Sequence, residues 1–224
     1  MRAGGSDATA ASRALEELCR VYWYPLYSFV RRSGYGPEDA QDLTQGFFAS
    51  LLAGASLAVV HPDKGRFRSF LLAALKHYLA NEWKRAQRQK RGGGVLLLSL
   101  DEQDAEGRYL HEPVDELTPE RAYERRWAEA LLAQVLTRLR AEFVAARQAD
   151  RYEGLKGFLL NDLELAPDAA LAARLGLSVC GIKSAIHRMR QRYGEIFREE
   201  ITGTVAEPNA VEEEIRHLFR VLSG

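Results

Sequence analysis

The sequence has few of the features that mark secreted, membrane-spanning or metal-binding proteins. It contains only two cysteines, Cys19 and Cys180. Neither has a second Cys or a His at metal-ligand spacing, which argues against a disulfide framework and a zinc site. No apolar run approaches the length of a signal sequence or a membrane span. These absences predict a cytoplasmic protein that does not contact a membrane and needs neither a metal nor a cofactor.

Patterns that indicate catalysis are also scarce. The five histidines are scattered, and none lies near a paired base or nucleophile in a recognisable motif. The run Gly92-Gly93-Gly94 lacks the Lys-Ser/Thr ending of a phosphate-binding loop. We therefore expect that the protein is not an enzyme, and a hydrolase or nuclease is the least favoured class.

The formal net charge is zero, but the charges are unevenly distributed. Residues 61–95 contain nine Lys or Arg and two acidic residues, whereas residues 96–130 contain four basic and ten acidic residues. Such segregation predicts separate electrostatic surfaces, which the net charge of the whole chain conceals.

Helix-forming residues dominate, and no alternation of apolar and polar residues lasts beyond a few positions. The sequence therefore predicts an all-α fold. Pro25 lies inside the first helical segment, residues 12–32, and is expected to kink or split it. We predict two helical domains and a tail helix, with these boundaries: a first domain at 1–91, an acidic flexible linker at 92–118, a second domain at 119–200 and the tail at 201–224.

The stretch from Pro167 to Tyr193 has the pattern of a helix-turn-helix. Its first helix ends at Gly176, a residue that stops helices because it adopts the left-handed conformation without strain. Ser178 is a suitable N-cap for the second helix. There is no acidic residue from Ser178 to Tyr193, and one face of the second helix contains Lys183, His187, Arg188, Arg190 and Arg192. The pattern predicts a helix that enters the major groove of DNA; a two-helix corner with a solvated basic face is the alternative.

A second basic segment, residues 64–91, interleaves cations with an aromatic ring and an amide. Its polar side contains Lys76, His77, Asn81, Trp83, Lys84, Arg85 and Arg88. Cations contact phosphates, aromatic rings stack on bases and amides read base edges. This side therefore predicts a surface for single-stranded nucleic acid. The alternative is a solvated basic helix whose tryptophan packs in the core.

Taken in order, these segments resemble bacterial RNA polymerase sigma factors of the extracytoplasmic-function (ECF) type, which keep only regions two and four. The resemblance rests on an acidic helix reading DAQDLTQGFF, the basic helix FRSFLLAALKHYLANEWKRAQRQKR, the acidic linker, and a helix-turn-helix reading LAARLGLS and then IKSAIHRMRQRY. It extends from about Leu15 to Arg198. It implies a factor that initiates transcription by recruiting core RNA polymerase to promoters, with the first domain as region two and the second as region four.

The resemblance also implies roles for individual residues. The clamp helices of the polymerase β′ subunit would be bound by Asp39, Asp42, Leu43, Gln45 and Phe47. The −10 element and its opened strand would be bound by Lys76, His77, Asn81, Lys84 and Arg85, with Trp83 and Arg88 on the same basic surface. The −35 element would be read by Ser178, Lys183, Ser184, His187, Arg188 and Arg190, with Arg192 beside them. The acidic linker would follow the path of the RNA exit channel, and an anti-sigma factor or another regulator is a possible further partner.

Two alternatives stay open at the level of the sequence. One is a stand-alone helix-turn-helix regulator that binds DNA without polymerase. The other concerns the tail, where Val211, Ile215, Leu218 and Leu222 line one face of a helix. The tail either folds back on the promoter-binding domain to complete its core, or has a regulatory role in which the acidic residues 212–214 pair with arginines of the DNA-reading helix.

Overall fold

The computed structural model describes residues 20–53, 66–88, 105–110, 117–159 and 169–223. These ranges contain helices and no β-strand, and their one extended pairing is an isolated antiparallel bridge between Arg66 and Val205. The all-α prediction is confirmed. No helix in the described ranges is long and apolar enough to cross a membrane.

The helices are numbered in chain order. Their bounds are residues 20–32 for α1, then Pro37–Ala53 for α2, Phe67–Arg88 for α3, Ala105–Leu110 for α4, Pro119–Ala145 for α5, Ala149–Leu155 for α6, Ala169–Arg174 for α7, Val179–Thr202 for α8 and Val211–Ser223 for α9. Helix α1 continues through Pro25, so the expected split of this segment does not occur.

The helices form two compact units, residues 1–130 with 204–224, and residues 131–203. The first unit contains α1 to α4, the beginning of α5 and the tail helix α9. The second contains the rest of α5 and α6 to α8. Sequence reasoning placed the whole of α5 in the second domain and treated the tail as separate, whereas the tail packs with the first unit.

Aromatic side chains build much of the core of the first unit. Tyr22, Trp23 and Tyr27 are each less than 10% exposed, and the Trp23 ring stacks on Phe48 with 5.7 Å between ring centroids. Their burial places this aromatic cluster in the core. Helices α2 and α3 approach closely at Gly46, where a Cβ atom would overlap the hydroxyl of Tyr78.

Part of the predicted linker is helical and docked. The Glu106 carboxylate of α4 accepts hydrogen bonds from Arg31, with Nε–Oε2 at 2.9 Å and Nη2–Oε1 at 2.8 Å, and from the Tyr27 hydroxyl. The Arg31 hydrogen bond holds the pKa of Glu106 below its usual value. This part of the linker is therefore anchored to α1. Residues 92–104 and 111–116 of the predicted linker lie outside the described residues.

The tail is joined to the start of α3 by a buried ion-pair cluster. Arg68 is 3% exposed and Glu214 is fully buried. The Arg68 guanidinium contacts both Glu214 oxygens, at 2.5 and 3.3 Å, and places Nη1 2.7 Å from Glu124 Oε1. It also lies 5.0 Å from the ring centroid of Trp127. A buried charge of this kind is tolerated only when its partners are in place.

A backbone contact adds to this junction, since the Phe67 amide donates to the Thr204 carbonyl at 3.0 Å. Arg66 Nε lies 2.8 Å from Glu214 and its Nη2 lies 3.3 Å from Glu213. The sequence-based hypothesis that residues 212–214 pair with arginines of the DNA-reading helix is therefore wrong for two of the three glutamates. The tail completes the core of the N-terminal unit instead.

The second unit is held by the apolar stripes of α5 and α8. The buried side chains of these stripes are Leu131, Val135, Leu139, Ile182, Ala185, Met189, Ile196, Phe197 and Ile201. Phe143, one turn after Leu139, is half-buried and packs edge-on against Tyr152, with 5.9 Å between ring centroids. These contacts leave one side of the first half of α8 exposed.

Candidate nucleic-acid and polymerase interfaces

The turn between α7 and α8 has the geometry that the sequence predicts. Gly176 has φ +62°, a left-handed conformation that favours glycine. The Leu177 amide donates to the Ala172 carbonyl at 2.9 Å. Ser178 Oγ accepts from the Gly181 amide at 3.0 Å, which satisfies one free donor at the start of α8. Together these bonds fix the angle at which α8 leaves the turn.

The first half of α8 presents a polar, basic face to solvent. Ser178, Lys183, Ser184, His187 and Arg188 are all exposed. Their spacing of three and four residues from Lys183 onward places them on one side of the helix. Burial of Ile182, Ala185 and Met189 turns the opposite side inward.

Gln191 belongs to the same face and was not singled out from the sequence. It is exposed and lies three residues after Arg188 and four after His187. Its amide has the donor and acceptor that pair with adenine in the major groove. Its helical spacing places it on this face from the sequence alone, but its side chain is uncharged and does not contribute to the basic pattern.

Two predicted DNA-binding arginines of α8 are held by protein groups. Arg190 donates from Nε and Nη2 to the Phe158 carbonyl at 2.9 and 2.7 Å. Arg192 contacts Glu142 through two 2.8 Å hydrogen bonds and Glu195 at 2.9 Å.

These hydrogen bonds raise the pKa of Arg192, chiefly through Glu142, whose own pKa is lowered. Arg192 also reaches Glu199 at 3.3 Å. Both arginines lie at the edges of the exposed face of α8 and stabilise the second unit. The accessible cations of that face are Lys183 and Arg188.

The second half of α3 exposes the other predicted surface. Trp83 is 57% exposed, so the alternative in which it packs in the core is wrong. His77, Asn81 and Lys84 are exposed as well. The side chain of Arg88 lies outside what the structure describes. This end of α3 combines an accessible ring, an amide and cations, as binding to unpaired bases requires.

Two cations of this surface have exposed carboxylate partners. Lys76 Nζ lies 2.7 Å from Glu120 Oε1, and the hydrogen bond lowers the pKa of Glu120. Arg85 Nη1 lies 2.7 Å from Glu82 Oε1. Exposed pairs of this kind contribute only about 0–1 kcal/mol. Phosphate groups can therefore replace either carboxylate at small cost.

Helix α2 exposes some, but not all, of its predicted polymerase-binding residues. Asp39 and Asp42 are exposed and Leu43 is partly exposed. Gln45 and Phe47 are only 3% and 2% exposed, and the Phe47 ring packs against Tyr78 at 5.9 Å. These two side chains belong to the core. A partner can reach the two aspartates and the edge of Leu43.

No group of three or more His, Cys, Asp or Glu side chains within the described ranges is placed to hold a metal ion. Cys180 is an exposed free thiol.

Comparison with known proteins identifies the chain at the level of the family. No curated protein gives a significant match, and no solved structure does either. The profile described as ECF sigma factor matches residues 12–199, which includes both candidate DNA-binding surfaces and the acidic face of α2. The chain belongs to the ECF sigma factor family, whose members bind core RNA polymerase and promoter DNA to initiate transcription.

Proposed function

We propose that this ECF sigma factor binds core polymerase through α2, the −10 element through α3 and the −35 element through α8. The main support is the selective exposure of charge in a chain whose net charge is zero. Accessible side chains remain on the acidic start of α2, the second half of α3 and the first half of α8. Charged groups elsewhere on α3 and α8 are held by protein partners.

The proposed polymerase contact is an acidic patch at the start of α2. Asp39 and Asp42 are three residues apart and exposed on adjacent turns, with Leu43 beside them. The Asp39 carboxylate, in the first turn, also stabilises the helix by about 0.3–1 kcal/mol. Basic side chains on the clamp helices of the β′ subunit would form ion pairs with this patch.

The proposed −10 contact uses the end of α3. The Trp83 ring would stack on an unpaired base, while Asn81 would hydrogen-bond a base edge. Lys84 and Arg85 would bind the phosphates of the opened strand. Because stacking requires a base outside the duplex, this surface should bind single strands more tightly than duplexes.

The proposed −35 contact uses the exposed face of α8. Lys183, Arg188 and Gln191 would reach bases or phosphates from the major groove. Val179 and Cys180, in the first turn, are exposed and offer few hydrogen bonds to bases. Readout there would depend more on DNA shape and phosphate contacts than on direct base contacts.

A reconstitution experiment tests the proposal. The purified protein is mixed with core polymerase, and the complex is separated by size exclusion and used for transcription from genomic fragments. We expect a stoichiometric complex and transcripts with defined start sites. DNA binding by the free protein without any complex would instead support the stand-alone regulator.

A further inference from the structure

The first unit has a pocket of about 180 Å³ between the start of α5 and the tail helix α9. Arg121 and Arg125 line it from α5, and His217 and Arg220 line it from α9. Glu124 is the one carboxylate among the lining residues. The pocket is therefore built by two helices that both present cations to it.

The Glu124 carboxylate does not neutralise the arginines of the pocket, because its oxygens contact Arg68 and His217 instead. Glu124 Oε1 lies 2.7 Å from Nη1 of the buried Arg68, and Oε2 lies 3.5 Å from His217 Nε2. Burial and the charge of Arg68 lower the pKa of His217. The excess positive charge of the pocket consequently comes from its arginines.

Two of the arginines are available to a ligand. Arg121 and Arg220 are exposed, and neither side chain has a carboxylate partner among the described residues. The other acids at the start of α5 already have partners, since Glu120 pairs with Lys76 and Glu129 with both Arg125 and Arg126. No described carboxylate is left to fill the pocket.

The N-terminus of helix α5 adds to the positive electrostatic potential of the pocket. Leu117, two residues before the first residue of α5, lines the pocket. The N-terminus of a long helix has a partial positive charge that favours anions. Arginine side chains, with their planar arrangement of donors, pair well with phosphate oxygens.

We propose that this pocket binds the phosphoryl groups of a small anionic ligand, held between Arg121 of α5 and Arg220 of α9. Its volume is well below the roughly 300–1,000 Å³ of pockets that enclose drug-sized ligands, so it fits one or two phosphoryl groups rather than a whole nucleotide. Because the two arginines lie on different helices, the ligand also holds the tail in place. A ligand that binds only the docked form stabilises it by mass action.

Pyrophosphate is a suitable probe. Its binding to the full-length protein is measured by calorimetry, and its effect on the melting temperature is followed by tryptophan fluorescence, with KCl at matched ionic strength as the reference. We expect saturable binding and a higher melting temperature than in KCl. The double variant Arg121→Gln/Arg220→Gln should lose about tenfold or more in affinity. Arg216→Gln, which removes an exposed cation of α9 outside the pocket, should leave the affinity unchanged.

The proposal is overturned if millimolar pyrophosphate gives no saturable binding, or if the double variant binds it as tightly as the wild type. Circular dichroism of the double variant checks that its helices persist. A duplex oligonucleotide of random sequence distinguishes a free phosphorylated ligand from the DNA backbone. If the duplex needs both arginines and pyrophosphate does not compete with it, the pocket is a backbone contact and the proposal fails. None of these outcomes depends on whether the protein directs transcription.

Discussion

Helices α3 and α8 are both basic, but their exposed basic residues lie at opposite ends of the two helices. In α3 the first turns are structural, because Arg68 is buried against Glu214 and Glu124. The exposed face of α3 begins later, near Lys76. In α8 the exposed face comes first, around Lys183, and the later Arg192 is held by glutamates.

The comparison teaches that positive charge alone does not identify a DNA-binding side chain. An arginine with a buried or multiple carboxylate partner stabilises the fold, whereas one on an open face remains available to phosphates. This distinction separates Arg68 and Arg192 from Arg188. Substitution of a structural arginine should therefore lower stability, whereas substitution of an exposed one should weaken DNA binding.

The largest effect is expected at the buried ion pair. Glu214→Ala leaves Arg68 without its main partner, and removal of one member of such a pair costs about 3–5 kcal/mol. All three tryptophans lie in the first unit, so urea unfolding followed by tryptophan fluorescence reports that unit. Glu213→Ala, an exposed member of the same helix, should cost no more than about 1 kcal/mol. Equal losses in the two variants would show that the buried pair has no special role.

The next effect concerns the two kinds of arginine in α8. Arg188→Ala should weaken DNA binding and reduce the slope of log K against log salt by about 0.9 if it contacts one phosphate. A base contact would instead cost about 1–3 kcal/mol at a single base pair. Arg192→Ala should leave both quantities nearly unchanged and lower the stability of the second unit. Gel shifts over a range of salt concentrations, with a randomised −35 element, measure DNA binding by both variants. A larger loss of DNA binding in Arg192→Ala than in Arg188→Ala would refute the assignment of Arg188 to the DNA-binding face.

The exposed Trp83 allows a similar test of the basic surface of α3. Stacking of a base on an aromatic ring contributes about 1–3 kcal/mol, so Trp83→Ala should weaken binding of a single-stranded −10 oligonucleotide by that amount. Binding to a duplex of the same sequence should change much less, because its bases are already stacked. Fluorescence anisotropy of the two oligonucleotides decides this. Equal losses on both would indicate a general electrostatic or folding effect.

The smallest effect is a pH dependence from His217. Burial and the nearby Arg68 lower its pKa in the folded state, so the unfolded chain binds a proton more readily. The stabilising contribution is present above the ordinary histidine pKa of about 6.5 and is lost as the pH falls below it. The unfolding free energy of the first unit should fall more steeply between about pH 7 and 5 in the wild type than in His217→Gln. Parallel curves would exclude this residue as the source.

Much of this architecture could be predicted from the sequence, because helical periodicity and turn residues act locally. The stop at Gly176 and the cap at Ser178 depend on residues within a few positions of each other. The α5 stripe of Trp127, Leu131 and Val135 is likewise buried as its spacing predicts.

The contacts that could not be predicted are those whose partners are distant along the chain. Glu214 resembles an ordinary acidic residue of a first turn, and only the fold brings it to Arg68, which lies 146 positions earlier. The same holds for Arg192 and Glu142, which are 50 positions apart. Gln45 and Phe47 were assigned to the binding surface by resemblance, whereas burial of their side chains is decided by packing against other helices.

The central claim is that the acidic patch of α2 recruits core polymerase, and co-purification with the β′ subunit tests it most directly. The variant Asp39→Arg/Asp42→Arg should keep the helical circular dichroism and the melting temperature of the first unit to within a small loss. It should fail to co-purify with core polymerase. Asp150→Arg/Glu207→Arg, which makes the same charge change at two exposed positions outside α2, should co-purify like the wild type. A folded α2 variant that still binds β′ as the wild type does would contradict the account.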